Sequence, residues 1–226
     1  MKKYYSSRLE FVIDSIDQIP GENRKFLDAG FLGSTEMEGK IHIEVLKKLK
    51  PSDAMTGIDL NKEKLKNFSE HIKKMINKNI HLEYLEASVY SLPFPDDFFD
   101  GIFFLEVFEH LESPYYALKE LIRVLRPGGL FIMTTPNPLS LEKILRFFFV
   151  KKIASKKQLK LFKGADDHKI LPHPQSVCNL LETYAMKTEL SFIKQTVKLT
   201  FLPQTFFKMT FFRRLSAYFG IKSYKF

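Results

Sequence analysis

Phe26-Leu27-Asp28-Ala29-Gly30-Phe31-Leu32-Gly33-Ser34 runs a short apolar stretch into a glycine turn. Residues 25–29 have the length and apolarity of a buried strand. Gly30 can take backbone angles that other residues resist, so the chain can approach a ligand closely there. A helix that follows such a turn offers unpaired N–H groups. A dinucleotide site wants G-x-G-x-x-G, and only G-x-x-G stands here, so the turn alone identifies no ligand.

Strand-like and helical patterns alternate on either side of it. Upstream, residues 5–18 repeat apolar positions at helical spacing and end before a turn at 20–23. Downstream, 41–49 reads as a helix, 54–60 as a strand, 62–76 as a helix and 80–87 as a strand. Residues 101–107 form a nearly continuous apolar strand, 114–125 a helix closed by Arg126-Pro127-Gly128-Gly129, and 130–135 a further strand. Such alternation implies a mostly parallel sheet with helices on both faces, in which ligands bind beyond the carboxyl ends of the strands. Beyond residue 138 the pattern loosens. Residues 140–153 read as a basic amphipathic helix, 175–186 as a helix, 189–201 as one or two strands, and the last 20 residues as another helix.

Charge is unevenly placed. The net charge of +9 divides into −3 over residues 1–136 and +12 over residues 137–226, and the latter stretch also holds 12 of the 23 phenylalanines. That combination suits an anionic or amphipathic partner, including peripheral contact with an anionic membrane. No recognisable nucleic-acid-binding module accompanies it, which argues against that partner class. One cysteine, Cys178, excludes an internal disulfide. No metal-ligand spacing is present, and no metal is expected. No apolar run nears the roughly 18 residues of a membrane span, and Asp14 and Asp17 interrupt any signal core, so a cytoplasmic chain, membrane-peripheral at most, is expected.

The chemistry-bearing strings follow in order: Asp28-Ala29-Gly30, then Gly57-Ile58-Asp59-Leu60-Asn61, then Leu92-Pro93-Phe94-Pro95-Asp96-Asp97-Phe98-Phe99-Asp100, then Glu106-Val107-Phe108-Glu109-His110-Leu111, then Leu125-Arg126-Pro127-Gly128-Gly129, then Thr134-Thr135-Pro136-Asn137. A carboxylate at the end of the second strand of the alternation can accept both hydroxyls of a ribose, although Asn61 or Asp59 could equally cap the next helix. In this order and spacing the strings resemble the class I S-adenosylmethionine-dependent methyltransferases, type 11 (ubiquinone/menaquinone-biosynthesis-like) group, over residues 24–137.

The resemblance implies an α/β, Rossmann-like sheet of seven strands, the last antiparallel, with the final two supplied by 188–203 and a basic aromatic C-terminal appendage. It implies one methyltransferase domain over 1–226: a leading helix at 1–23, a cofactor-binding core at 24–137, an insert at 138–175, and last strands and extension at 176–226. It implies S-adenosylmethionine as cofactor, with Asp28, Gly30 and Gly33 at its methionine end, Asp59 on the ribose and Leu60 against the adenine. Ser88 and Val89 then meet the adenine edge, and Leu105 and Glu106 lie beside the sulfonium.

Two departures stand out. The family turn D-x-G-x-G-x-G has Leu32 and Ser34 at its second and third glycine positions, and the loop beyond reads as long, with Glu36, Glu38 and Gly39 in it. Ser88 stands where the family usually has Asp. A non-catalytic methyltransferase-like binding or scaffold protein is therefore the alternative reading. A nicotinamide oxidoreductase is a weaker rival, because its Tyr115-x-x-x-Lys119 mimic precedes the fifth strand of the alternation. The acceptor expected is a small molecule, a lipid-linked compound or a glycan, methylated at oxygen or carbon. For an oxygen nucleophile, His168 and His110 are the candidate bases, since imidazole titrates near neutral pH.

Overall fold

Consecutive residues of the central strands face opposite sides of the sheet, and both sides are apolar. Leu27, Ile102, Phe104, Phe131 and Met133 join one buried cluster, while Phe26, Phe103 and Ile132 between them join another. That is the chemistry of a sheet covered by helices on both faces. The computed structural model describes residues 4–32, 36–75, 80–140, 169–170, 172–193 and 218–226.

In chain order the elements are β1 (Tyr4–Tyr5), α1 (Arg8–Ile16), β2 (Lys25–Ala29), α2 (Glu36–Lys48), β3 (Ala54–Asp59), α3 (Lys62–Met75) and β4 (His81–Glu86). Then come β5 (Phe99–Leu105), a 3-10 turn at Phe108–His110, α4 (Pro114–Val124), β6 (Leu125–Pro136), α5 (Pro174–Glu182), β7 (Met186–Ile193) and β8 (Tyr218–Lys225). The strands form one sheet in the order β1-β7-β8-β6-β5-β2-β3-β4. Every neighbouring pair is parallel except those made by β8, which runs antiparallel to both β6 and β7. From β2 the chain moves outward to β3 and β4, then returns to β5 on the other side of β2. The crevice at that reversal is where an open α/β sheet takes its ligand.

Helices α1, α2 and α3 cover one face through Phe11, Val12, Val45, Leu46 and Ile72; α4 and α5 cover the other through Leu118, Leu121, Val177 and Leu181. The entries to β2 and β3 are stapled by a buried ion pair. Arg24 donates from Nε to Asp53 Oδ1 at 3.1 Å and from Nη2 to Oδ2 at 2.6 Å, and the amides of Arg24 and Lys50 donate to the same carboxylate. Burial opposes the ionisation of Asp53, but these hydrogen bonds and the guanidinium charge outweigh it and hold the carboxyl below its ordinary range.

Two expectations need correction. The expected mostly parallel sheet of seven strands is present as β2–β8, and a two-residue edge strand is added where Tyr4 and Tyr5 pair in parallel with Phe192 and Ile193. The turn after β2 is shorter than the sequence suggests, since α2 already begins at Glu36, so Glu36, Glu38 and Gly39 are helical. The last strand is Tyr218–Lys225, beyond the 188–203 window, and it is neither helix nor appendage. Its alternation explains why. Phe219 and Ile221 join the cluster under α4 and α5. Gly220 abuts Phe11 on the opposite face, where an added Cβ would lie 2.6 Å from that ring. Lys222, which reads as a surface charge, is 2% exposed and donates to Asp14 Oδ2 at 2.8 Å. The expected helix over 140–153 and most of the 138–175 insert lie outside the described residues, as does the stretch 194–217.

Candidate active site

A cleft of about 380 Å³ opens at the carboxyl ends of β2, β3 and β5. Gly30 forms its floor with φ of +77°, a conformation that costs L side chains. Its N–H donates to Ile58 O at 2.8 Å, binding the turn to the tip of β3.

Asp59 ends β3 in the wall of this cleft. Its Oδ1 accepts the Asn61 amide at 3.0 Å, and Asn61 Oδ1 accepts the Lys64 amide at 2.9 Å. Asn61 is thus the cap of α3, which leaves Asp59 to the cleft. Leu60 follows on the rim, 72% exposed, beside the buried Ile58. Opposite, Ser88 and Val89 line the wall; Ser88 Oγ accepts the Tyr90 amide at 3.2 Å, and its hydroxyl hydrogen remains able to donate. Carboxylate, hydroxyl and apolar side chains therefore line a space of ligand size.

Glu106, just past β5, lines the cleft with φ of +58°, uncommon for a residue with a side chain. It also borders a second, much smaller cavity, of about 10 Å³, shared with Arg8, Asp28, Phe31, His42 and Leu105. Arg8 Nη1 lies 3.3 Å from Glu106 Oε2. Asp28 and Leu105 face this smaller cavity rather than the main cleft. Asp28 is 2% exposed; its Oδ2 meets His42 Nδ1 at 2.7 Å. Asp28 Oδ1 is buried with no hydrogen-bond partner among the described residues.

The structure thus brings Gly30, Asp59, Leu60, Ser88, Val89 and Glu106 to one cleft, with His110 on its wall. Gly33 and His168 lie outside the described residues. Leu32, at the departed glycine position, does not line the cleft. Sequence reasoning missed Arg8, because α1 precedes every recognised motif, and missed His42, because a lone histidine at a buried helix position carries no spacing signal. Among the described residues no cluster of three His, Cys, Asp or Glu side chains could hold a metal ion.

Residues 39–133 match a protein-family model described as "Methyltransferase domain". These residues are similar to a methyltransferase domain. Over 122 residues, 52% of this chain, the sequence is 37% identical to the ubiquinone/menaquinone biosynthesis C-methyltransferase UbiE of Rickettsia massiliae. Over 127 residues, 56% of this chain, it is 28% identical to the ubiquinone biosynthesis O-methyltransferase of Parvibaculum lavamentivorans. Each match covers 46% of the relative, so the chain spans less than half the length of these curated proteins. Among solved structures, a SAM-dependent methyltransferase from Archaeoglobus fulgidus superposes with a TM-score of 0.62 at 19% identity, over 96% of this chain and 94% of that one. This likeness is one of fold, and it extends well past residues 39–133. The domain accounts for β3 to β5 and most of β6, while Asp28, Gly30 and Arg8 stand before it.

Proposed function

We propose that this chain binds S-adenosylmethionine in the cleft and transfers its methyl group to oxygen or carbon of a small-molecule, lipid-linked or glycan acceptor. The observation that carries the reading is the convergence of Gly30, Asp59, Leu60, Ser88, Val89 and Glu106 on one cleft at the reversal of strand order. The residues fit the cofactor's parts. Asp59 accepts the ribose hydroxyls, Leu60 and Ile58 pack on the adenine plane, and Ser88 and Val89 meet its edge. Asp28, with a buried carboxylate oxygen awaiting a donor, suits the cationic amino-acid end.

When bound, S-adenosylmethionine supplies a methyl group on a cationic sulfur. The protein's task is placement, since holding an acceptor in line with that methyl removes most of the entropic barrier. His110 borders the same cleft and takes the proton from an oxygen nucleophile. The basic, phenylalanine-rich last 90 residues favour an acceptor presented at an anionic membrane surface. No described helix is long and apolar enough to cross a membrane. Co-sedimentation with liposomes that is indifferent to anionic lipid overturns the membrane element of the proposal.

Titration calorimetry with S-adenosylhomocysteine and with NAD(H) in parallel tests the cofactor. Heat with the first and none with the second is expected. Heat with NAD(H) alone, or with neither ligand from well-folded protein, overturns it.

A further inference from the structure

The motifs that identify the domain leave one buried network unused. His42, on α2, is 1% exposed, and both of its ring nitrogens are engaged: Nδ1 with Asp28 Oδ2 at 2.7 Å and Nε2 with Tyr84 Oη at 3.1 Å. The partners set the direction of these bonds. A carboxylate only accepts, so Nδ1 carries the hydrogen and donates. Burial, and secondarily the Asp28 charge, push the Tyr84 phenol well above its ordinary range, so it keeps its proton and donates to Nε2. The imidazole cannot easily turn. Phe31 stacks on it with centroids 4.4 Å apart, and the Phe68 ring lies 5.5 Å away, nearly perpendicular.

The consequence falls on Asp28. One oxygen is pinned by His42, and the other is buried without a donor among the described residues. Asp28 lines the small cavity with Arg8 and Glu106, and Glu106 also lines the main cleft, so one side chain borders both spaces. A fixed buried carboxylate lacking a donor is a strong acceptor for an ammonium group.

We infer that His42, backed by Tyr84, is a positioning residue: it holds one oxygen of Asp28 so that the other receives the ammonium of the cofactor's amino-acid end. This rests on the cofactor reading above and adds to it two residues that no cofactor-binding motif contains. It separates the amino-acid end of the ligand, which depends on His42, from the nucleoside end, which does not.

The experiment compares two ligands that differ only at that end. S-adenosylhomocysteine carries the amino acid; 5′-methylthioadenosine does not. Calorimetry is run on the unaltered chain and on His42→Leu, His42→Asn and Tyr84→Phe, with thermal melts for each. His42→Leu is expected to weaken S-adenosylhomocysteine by about tenfold or more, as for loss of a charge-assisted hydrogen bond, and to leave 5′-methylthioadenosine within about twofold. His42→Asn, whose amide can donate where Nδ1 does, is expected to restore most of the loss. Tyr84→Phe is expected to lie between and keeps the assignment testable if His42→Leu does not fold. Equal weakening of both ligands, or no weakening of either in folded variants, overturns the positioning role. If the unaltered chain binds neither ligand, the cofactor reading falls and takes this role with it.

Discussion

A β-carbon at Gly30 would stand 2.6 Å from Val107 Cγ2, so the turn after β2 and the chain just past β5 are packed as closely as glycine permits. This contact closes the floor of the cleft. Gly30→Ala forces a side chain into that space and into a left-handed backbone conformation, φ +77°. The expected cost is about 1–3 kcal/mol of stability, together with weaker S-adenosylhomocysteine binding. Chemical denaturation and calorimetry on the same preparation check both.

Asp59 and Asn61 divide their labour, and two substitutions separate them. Asp59→Ala is expected to weaken cofactor affinity by about 1.5–3 kcal/mol, roughly one to two decades, with little change in the melt. Asn61→Ala removes the cap of α3 and is expected to lower stability by about 1 kcal/mol with affinity nearly unchanged. Affinity that survives in Asp59→Ala removes that carboxylate from the site.

The Arg24–Asp53 pair makes a prediction about acid. The native carboxyl of Asp53 titrates below its ordinary value, so the folded chain binds this proton less readily than the unfolded one. Its contribution to stability is therefore complete above the ordinary carboxylate value, about pH 4. It declines as pH falls through the lower native value. Asp53→Asn leaves Arg24 buried and unpaired, and is expected to cost about 3–5 kcal/mol at neutral pH. The difference from the unaltered chain should shrink on acidification below about pH 4, as denaturant midpoints across pH would show.

The basic, aromatic end of the chain is structural where it forms β8. Lys225 Nζ donates to Asp97 Oδ1 at 2.6 Å and to the carbonyls of Ile122 and Leu125 at 3.0 and 2.7 Å, holding the end of α4. A chain ending at residue 217 loses β8 from between β6 and β7, and is expected to show no cooperative melt. A truncated chain that melts as the full one does would restore the reading of this end as an appendage.

How far the sequence alone carried the fold depends on which period each element obeys. The runs 101–105 and 130–133 are apolar throughout because both faces are covered, which makes them legible as strands. The tip residues Asp59, Ser88, Val89 and Glu106 were legible through motif spacing. β8 was not, because glycine, lysine and serine interrupt it, and their reasons lie elsewhere in the chain: Phe11 crowds Gly220, and Asp14 neutralises Lys222. Arg8 and His42 were hidden for a related cause, since each acts through a partner distant in sequence. The turn after β2 was misjudged because Gly39 reads as a loop residue although it lies inside α2. Asp28 faces the smaller cavity rather than the main cleft, a distinction that side-chain direction decides and spacing does not.

The antiparallel insertion of β8 also orders events in time. While the ribosome has yet to make Tyr218–Lys225, β6 and β7 have no neighbour to bridge them, and the sheet carries an open slot with unpaired backbone on either side. Nascent chains in that state expose strand edges that invite association with other chains. Completion of the sheet must await translation of this segment, so chaperone dependence during synthesis, rather than the stability of the finished protein, is where slowed elongation between β7 and β8 would be felt.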